Sequence, residues 1–272
     1  MPNVHLADRS VVSVDGAEAA DFLQGLVTCD VSKIAPGGAA FGALLTPQGK
    51  ILFDFFVVGV DGGFLLDAPR EKAADLVKRL GFYRLRAKIA LVDLSEDSRG
   101  EEALAIVAVF GDSEPPKGAM AWVDPRNAEL GRRTILPLRE ARRCDADRAA
   151  YDAHRIACGA PQGGTDFAYG DAFPHETNMD LLNGVAFDKG CDVGQEVVSR
   201  MQHRGLARKR IVRVTLDGQA APGAEIRAGQ TALGVLGGVA DGKGLATIRT
   251  DRLEEAGDAP LTAGDARVTV LR

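Results

Sequence analysis

The chain has 272 residues, 46% hydrophobic and 26% charged, with a net charge of −5. That composition suits one large globular domain or two to three smaller ones, and it excludes a chain that binds nucleic acid through its overall charge. No apolar run reaches the length of a membrane span, and MPNVHLADRS lacks the cationic start and apolar core of a secretory signal.

Val11 to Val14 is expected to be a strand. Asp15 and Glu18 then have capping-box spacing, and Ala19, Phe22, Leu23 and Leu26 recur as the apolar face of a helix. Phe41–Leu45 and Ile51–Val60 follow as strands around the turn Thr46-Pro47-Gln48-Gly49. Asp61-Gly62-Gly63 closes a hairpin into Phe64-Leu65-Leu66. Ala68-Pro69 opens a helix with Ala73, Leu76, Val77 and Leu80 on one side, and Gly81 is expected to end it. Strands are expected around Arg86 to Val92 and Leu104 to Phe110. Asp145 is expected to cap a helix that runs to Cys158, with Gly159 at its end. From Gly159 to Gly184 the chain is irregular and glycine-rich, which in a compact protein points to function or mobility.

The densest chemistry lies in Lys189-Gly190-Cys191-Asp192-Val193-Gly194-Gln195-Glu196, with Arg200 four residues on. Asp192 and Gln195 have capping-box spacing, so a helix is expected from Val193 to His203, with Gly205 at the C′ position beyond its end. Cys191 then lies one residue outside a helix N-terminus, where the dipole favours a thiolate, and Lys189 can add positive charge. Arg200, Arg204, Arg208, Lys209, Arg210 and Arg213 form a local basic stretch, readable as a solvated surface or as a site for a phosphate or a carboxylate-rich tail. Beyond Gly205, short apolar runs alternate with glycine turns, the pattern of a small β-barrel or sandwich. The cysteines (Cys29, Cys144, Cys158, Cys191) are widely spaced, so free thiols in a reducing, cytoplasmic compartment are expected. His154 and His175 lack metal spacing, and no metal site is expected. Trp122 and Tyr169 read first as core residues, and second as stacking partners for a flat ligand.

The 189–200 segment resembles the motif of the YgfZ family, Lys-Gly-Cys-Tyr-x-Gly-Gln-Glu-x-x-x-Arg, with Asp192 in place of the tyrosine. Phe22-Leu23-Gln24-Gly25, Thr28 with Asp30, Pro47-x-Gly49-Lys50, Pro174-x-Glu176, Asn178-x-Asp180 and Gly234 extend the resemblance over most of the chain. The resemblance implies an α+β, three-domain, cloverleaf-like fold of the T-protein/YgfZ type, with a C-terminal small β-barrel. It implies a division into 1–44 with 141–204, then 45–140, then 205–272. It also implies tetrahydrofolate in a central channel and iron–sulfur client enzymes or assembly factors as partners, with no membrane or direct nucleic-acid contact. Cys191 would be the working thiol, tuned by Lys189. Gly190, Gly194, Gln195, Glu196, Arg200 and Asp54 would shape the folate site. Two rival functions resemble neighbouring families. One is a folate-dependent aminomethyltransferase of the glycine-cleavage T-protein type, disfavoured by Phe53 and Ala157 where that family carries acids. The other is a folate-binding scaffold with no catalysis. Whether the chain is an enzyme stays open at this point.

Overall fold

The computed structural model describes residues 3–95, 97–144, 147–205 and 207–271. Its first sheet is built from β2 (Arg9–Asp15), β3 (Ala39–Leu45), β4 (Ile51–Val60), β5 (Gly63–Pro69) and β6 (Ala90–Asp93), in the order β3-β4-β5-β2-β6. The hairpins around Thr46–Gly49 and Asp61–Gly63 form as their turn residues dictate. β3 and β4 pair with one another from either side of 44/45, so that boundary runs through a single sheet.

One face of this sheet is apolar and covered. Phe53, Phe55 and Val57 alternate on β4 toward a cluster that includes Leu23 of α1 (Ala19–Gln24) and Ala73, Leu76 and Leu80 of α2 (Arg70–Arg84). Burying each such side chain is worth roughly 1.5–3 kcal/mol. On the opposite face, Val58, Val11 and Leu65 pack against Ile106, Ala108, Trp122 and Tyr151. Those residues belong to or border a second, antiparallel sheet. It consists of β1 (Asn3–His5), β7 (Leu104–Val109), β9 (Arg132–Pro137) and β8 (Met120–Val123), in that order. A short helix, α3 (Leu138–Ala141), follows β9, and α4 (Arg148–Ala157) lies beyond it.

Residues 158–194 run without a helix or a strand, as the glycine content suggests. Then come α5 (Gln195–Arg204) and a closed barrel of six strands. Its strands are β10 (Lys209–Asp217), β11 (Glu225–Ala228), β12 (Thr231–Ala240), β13 (Lys243–Arg249), β14 (Leu261–Ala263) and β15 (Ala266–Val270), with α6 (Thr250–Ala256) outside them. Val214, Ile226, Leu233, Leu236, Ala246, Ile248 and Val268 fill its interior. The expected α+β fold with a C-terminal small barrel is what the chain adopts.

The helix ends depart from expectation for tertiary reasons. Asp15 does not cap α1. It remains in β2, opposite Gly63 and Ala90, and Glu18 accepts the Lys88 amide at 3.0 Å instead. Helix α2 does not stop at Gly81 but runs to Arg84, and the following Leu85 takes φ +43°. The expected 86–92 strand shortens to β6. Asp145 lies outside the described residues, and Asp147 caps α4 by accepting the Ala149 amide at 3.0 Å.

Candidate functional site

Helix α5 begins at Gln195, two residues later than the capping box implies. Gly194 takes the N-cap place in a left-handed conformation, φ +82°. The reason is a close approach: a Cβ on Gly194 would stand 2.5 Å from the Thr46 carbonyl oxygen and 3.1 Å from the Cα of Gly49. Only glycine allows both that backbone angle and that contact. The start of α5 is thereby pinned to the β3–β4 turn.

Half of the expected capping box survives. Gln195 Oε1 accepts the Asp192 amide at 3.2 Å, but the Asp192 carboxylate leaves the helix and reaches Lys189 Nζ at 3.3 Å. The Lys189 side chain is fully buried. Its ammonium donates to the carbonyls of Gln24 (2.8 Å), Val27 and Cys29 (3.2 Å), at and just past the end of α1. None of these bonds involves Cys191. The ammonium is spent as a clamp between the 189–192 loop and the α1 region. Burial pushes the Asp192 carboxyl up to about 6, against the pull of Lys189.

Cys191 is exposed on the loop held by these two anchors. It sits four residues before α5, outside the first turn where the dipole acts. The other thiols differ from it. Cys29 is buried, and burial pushes it up to about 12. Cys144 and Cys158 are partly covered, and burial raises Cys158 too. Gly190 is exposed on the same loop. Glu196 and Arg200 pair with each other at 2.7 Å on the exposed side of α5, one helical turn apart. Of the basic stretch, Arg210 is held by Asp180 (2.6 Å) and the His175 carbonyl (2.7 Å), and Arg213 donates to the Ala157 carbonyl at 3.1 Å.

Asp54 is elsewhere. It is 6% exposed on β4, shares the inner face with Phe56, and accepts a hydrogen bond from the Tyr169 hydroxyl. Burial, then the Asp54 charge, push the Tyr169 phenol well above its usual range. Asp54 lines a cavity of about 20 Å³ ringed by Arg9, Arg126, Arg133, Arg148 and Arg155. These arginines are held in place by acids. Arg133 reaches Asp67 at 2.7 Å, Asp124 at 3.3 Å and the Tyr151 hydroxyl at 2.8 Å. Arg126 forks onto Asp124 at 3.0 and 2.8 Å. Burial opposes the Asp124 charge, and the two arginines more than reverse it, leaving that carboxyl below its usual range. The Arg126 and Arg133 guanidiniums stand 4.9 and 4.2 Å from the centre of the Phe56 ring.

Tetrahydrofolate does not fit there. A volume of about 20 Å³ holds roughly one water, whereas pockets for small molecules run to some 300 Å³ or more. The space beside Asp54 is filled by guanidiniums stacked on Phe56. Reading the sequence singled out Asp54 but missed the arginines and their acids. Their signal was charges set inside apolar strands: Asp67 in FLLDAP and Arg133 in RRTILP.

Comparison with known proteins gives the relationship. Residues 208–272 match the model of the CAF17 C-terminal beta-barrel domain. The chain is 31% identical over 280 residues to the mitochondrial iron-sulfur cluster assembly factor IBA57 of Mus musculus, covering 92% of this chain and 78% of that protein. It is 31% identical over 234 residues to the human protein, covering 76% and 64%. It is 34% identical over 224 residues to the IBA57 homolog of Mycosarcoma maydis, covering 75% of this chain. The chain spans little more than half the length of that fungal relative, 54%. Among solved structures, the glycine cleavage system aminomethyltransferase T from Bartonella henselae superposes with a TM-score of 0.78 at 15% identity, over 100% of this chain and 84% of that one. That likeness establishes the T-protein fold. The expected cytoplasmic location is corrected, since these curated relatives are named as mitochondrial proteins. The relatives carry the IBA57 name, where the motif alone resembled YgfZ. The chain belongs to the IBA57 family of iron–sulfur cluster assembly factors.

Proposed function

We propose that this chain is an accessory factor for assembling or repairing iron–sulfur clusters in client enzymes, and that Cys191 is its working thiol. The observation that carries the reading is Cys191 exposed on a loop fastened at both ends. The Lys189 ammonium grips the α1 region before it, and Gly194 packs on the β3–β4 turn after it. A thiol presented on a fixed loop is suited to exchange with an incoming iron or sulfur centre. In ligand exchange, a Cys191–iron bond forms as the iron's bond to a departing thiolate breaks. The Cys191 proton goes to that thiolate, and no electron is transferred. Lys189 holds the loop in this scheme and does not touch the sulfur. Gly190 precedes the thiol on the same loop, Gln195 holds that loop through the Asp192 amide, and Glu196 and Arg200 pair on the helix that follows it.

Tetrahydrofolate, the cofactor that the resemblance implies, is supported by the fold likeness but opposed by the filled cavity beside Asp54, so no step is carried through it. Of the expected domain division, the 204/205 boundary is kept in this reading, since all six barrel strands follow it.

The test uses a strain deleted for the gene. A [4Fe–4S]-dependent tRNA-modifying enzyme and glycine cleavage are assayed in the same extracts, with rescue by wild type or Cys191→Ser. The expected result is loss of the cluster enzyme alone, rescued by wild type but not by Cys191→Ser. Loss of glycine cleavage alone would assign the chain to aminomethyl transfer. Full rescue by Cys191→Ser would remove the thiol from the mechanism.

A further inference from the structure

Helix α2 and the turn after it concentrate positive charge. Residues 70–88 hold seven Lys and Arg against two acids, a net +5 within a chain of net −5. The helix buries Ala73, Leu76 and Leu80 and turns Lys78 and Arg79 outward. Among the described residues, neither Lys78 nor Arg79 has a hydrogen-bond or ion-pair partner. Between this face and the start of β4 lies a pocket of about 390 Å³, lined by Leu52, Phe53 and Tyr169 and, from the helix, by Lys72, Lys78, Arg79 and Phe82 with one acid, Asp75, among the three cations. Lys72 Nζ stands 5.8 Å from the centre of the Tyr169 ring.

Two further features distinguish this surface from a solvated helix face. Sequence reasoning ends the helix at Gly81, yet it continues to Arg84 and carries Phe82 outward, 62% exposed. Leu85, 88% exposed, then takes φ +43° and ψ −104°. A left-handed leucine costs on the order of 1 kcal/mol or more, and no burial offsets it here. Exposed aromatic and aliphatic side chains among unpaired cations have the composition of an interface, apolar at its centre and charged at its rim.

We propose that this groove binds an acidic segment of a partner protein, one that carries an aromatic or aliphatic side chain among its carboxylates. Charge complementarity fixes the occupant. The carboxylates meet Lys72, Lys78 and Arg79, while the apolar side chain enters beside Phe82 and over Leu52 and Phe53. The groove is also placed to serve Cys191, a consequence that rests on the function proposed above. Val193, two residues from Cys191, packs on the same apolar cluster as Leu52, Val77 and Tyr83. Gly49, against which Gly194 rests, precedes Leu52 by three residues, a span of about 10 Å at most. A partner seated on α2 therefore covers the same apolar cluster on which the loop that carries the thiol is anchored.

The test measures binding of a short fluorescein-labelled peptide of glutamates, interrupted by one phenylalanine and one leucine, by anisotropy on the full chain. The wild type is expected to bind, more weakly as salt is raised. The double charge reversal Lys78→Glu with Arg79→Glu is expected to weaken binding by about tenfold or more, and Phe82→Ser by several-fold. All three sites are exposed, and circular dichroism checks that the variants fold. Cys191→Ser is expected to bind like wild type, so the docking site stands even where the thiol reading fails in rescue. Absence of wild-type binding, or a charge-reversed variant that binds as tightly, overturns the proposal. So does tighter binding of a single-stranded oligonucleotide of equal charge, which would make this a nucleic-acid surface.

Discussion

Replacing Lys189 by methionine keeps the length and apolar stem of the side chain and removes only the ammonium. Three carbonyl oxygens, those of Gln24, Val27 and Cys29, then lose a charged donor, and Asp192 loses its counter-ion. The Asp192 side chain is only 3% exposed, and its Oδ1 has no partner among the described residues. Removing one member of a buried ion pair costs about 3–5 kcal/mol, because the remaining charge stays desolvated. In a chain of this size that loss lowers the melting temperature by about 10 °C. Urea unfolding followed by circular dichroism measures it.

The pH dependence follows from the sign of the Asp192 shift. Its folded pKa, about 6, lies above the unfolded value of 3.8, so the folded state holds the proton longer. The carboxylate therefore destabilises the fold fully above about pH 6, and that cost disappears as pH falls from about 6 towards 4. The deficit of Lys189→Met relative to wild type should accordingly shrink between pH 7.5 and pH 5, leaving the share due to the carbonyls. Adding Asp192→Leu to Lys189→Met should recover about 2 kcal/mol at pH 7.5, since an apolar pair replaces an orphaned charge. A loss under about 1 kcal/mol, or no recovery in the double variant, would refute the clamp.

Gly194→Ala should cost about 2–3 kcal/mol from its left-handed backbone and the approach to the Thr46 carbonyl, and it should lower cluster-enzyme rescue; an unchanged urea midpoint would contradict the packing described. Limited treatment with iodoacetamide at neutral pH should label Cys191 first and leave Cys29 unmodified until the chain unfolds, read by peptide mass spectrometry; early labelling of Cys29 would show that its burial is not maintained. Calorimetric titration with 5-formyltetrahydrofolate should give no saturable heat, and a Kd below about 1 mM lost on Asp54→Asn would show that the arginine-filled cavity opens to admit a pterin.

Where local chemistry decides conformation, the sequence was readable. The turns at Thr46–Gly49 and Asp61–Gly63, the whole of β4 and the left-handed Gly205 after α5 all follow from residue type and spacing. The failures share one cause. Asp15 and Asp192 both fit a capping box, and each is drawn off by something remote from its local pattern: strand pairing for Asp15, and for Asp192 a lysine itself bound to the α1 region. A local hydrogen bond worth about 1 kcal/mol yields to such partners. The central arginines were hidden for a related reason. Arg133 finds Asp67 across 66 residues of chain, and an arginine in a strand gives no local sign that it faces inward.

Those arginines account for how the parts of the chain are held. One path of buried polar contacts crosses the molecule. The Gly238 amide on β12 donates to Asp166 at 2.7 Å, and Asp166 accepts from Arg155 on α4 at 2.7 Å. One turn earlier on α4, the Tyr151 hydroxyl accepts from Arg133 of the second sheet. Arg133 also grips Asp67 of the first sheet, which accepts from Arg9 at 2.6 Å. Barrel, helix and both sheets are thus tied through side chains that have few alternative partners. Buried ion pairs add little net stability over an apolar core of equal volume, so strength is a poor reason for this arrangement. What directional, charge-assisted bonds supply is a fixed relation between elements, because each is lost by a small displacement. In this chain, which keeps the T-protein architecture while filling the space beside Asp54, these bonds bridge the parts across a cavity of about 20 Å³. The first sheet in this path also carries the β3–β4 turn on which Gly194 packs, so the loop that exposes Cys191 is seated on the same tied framework.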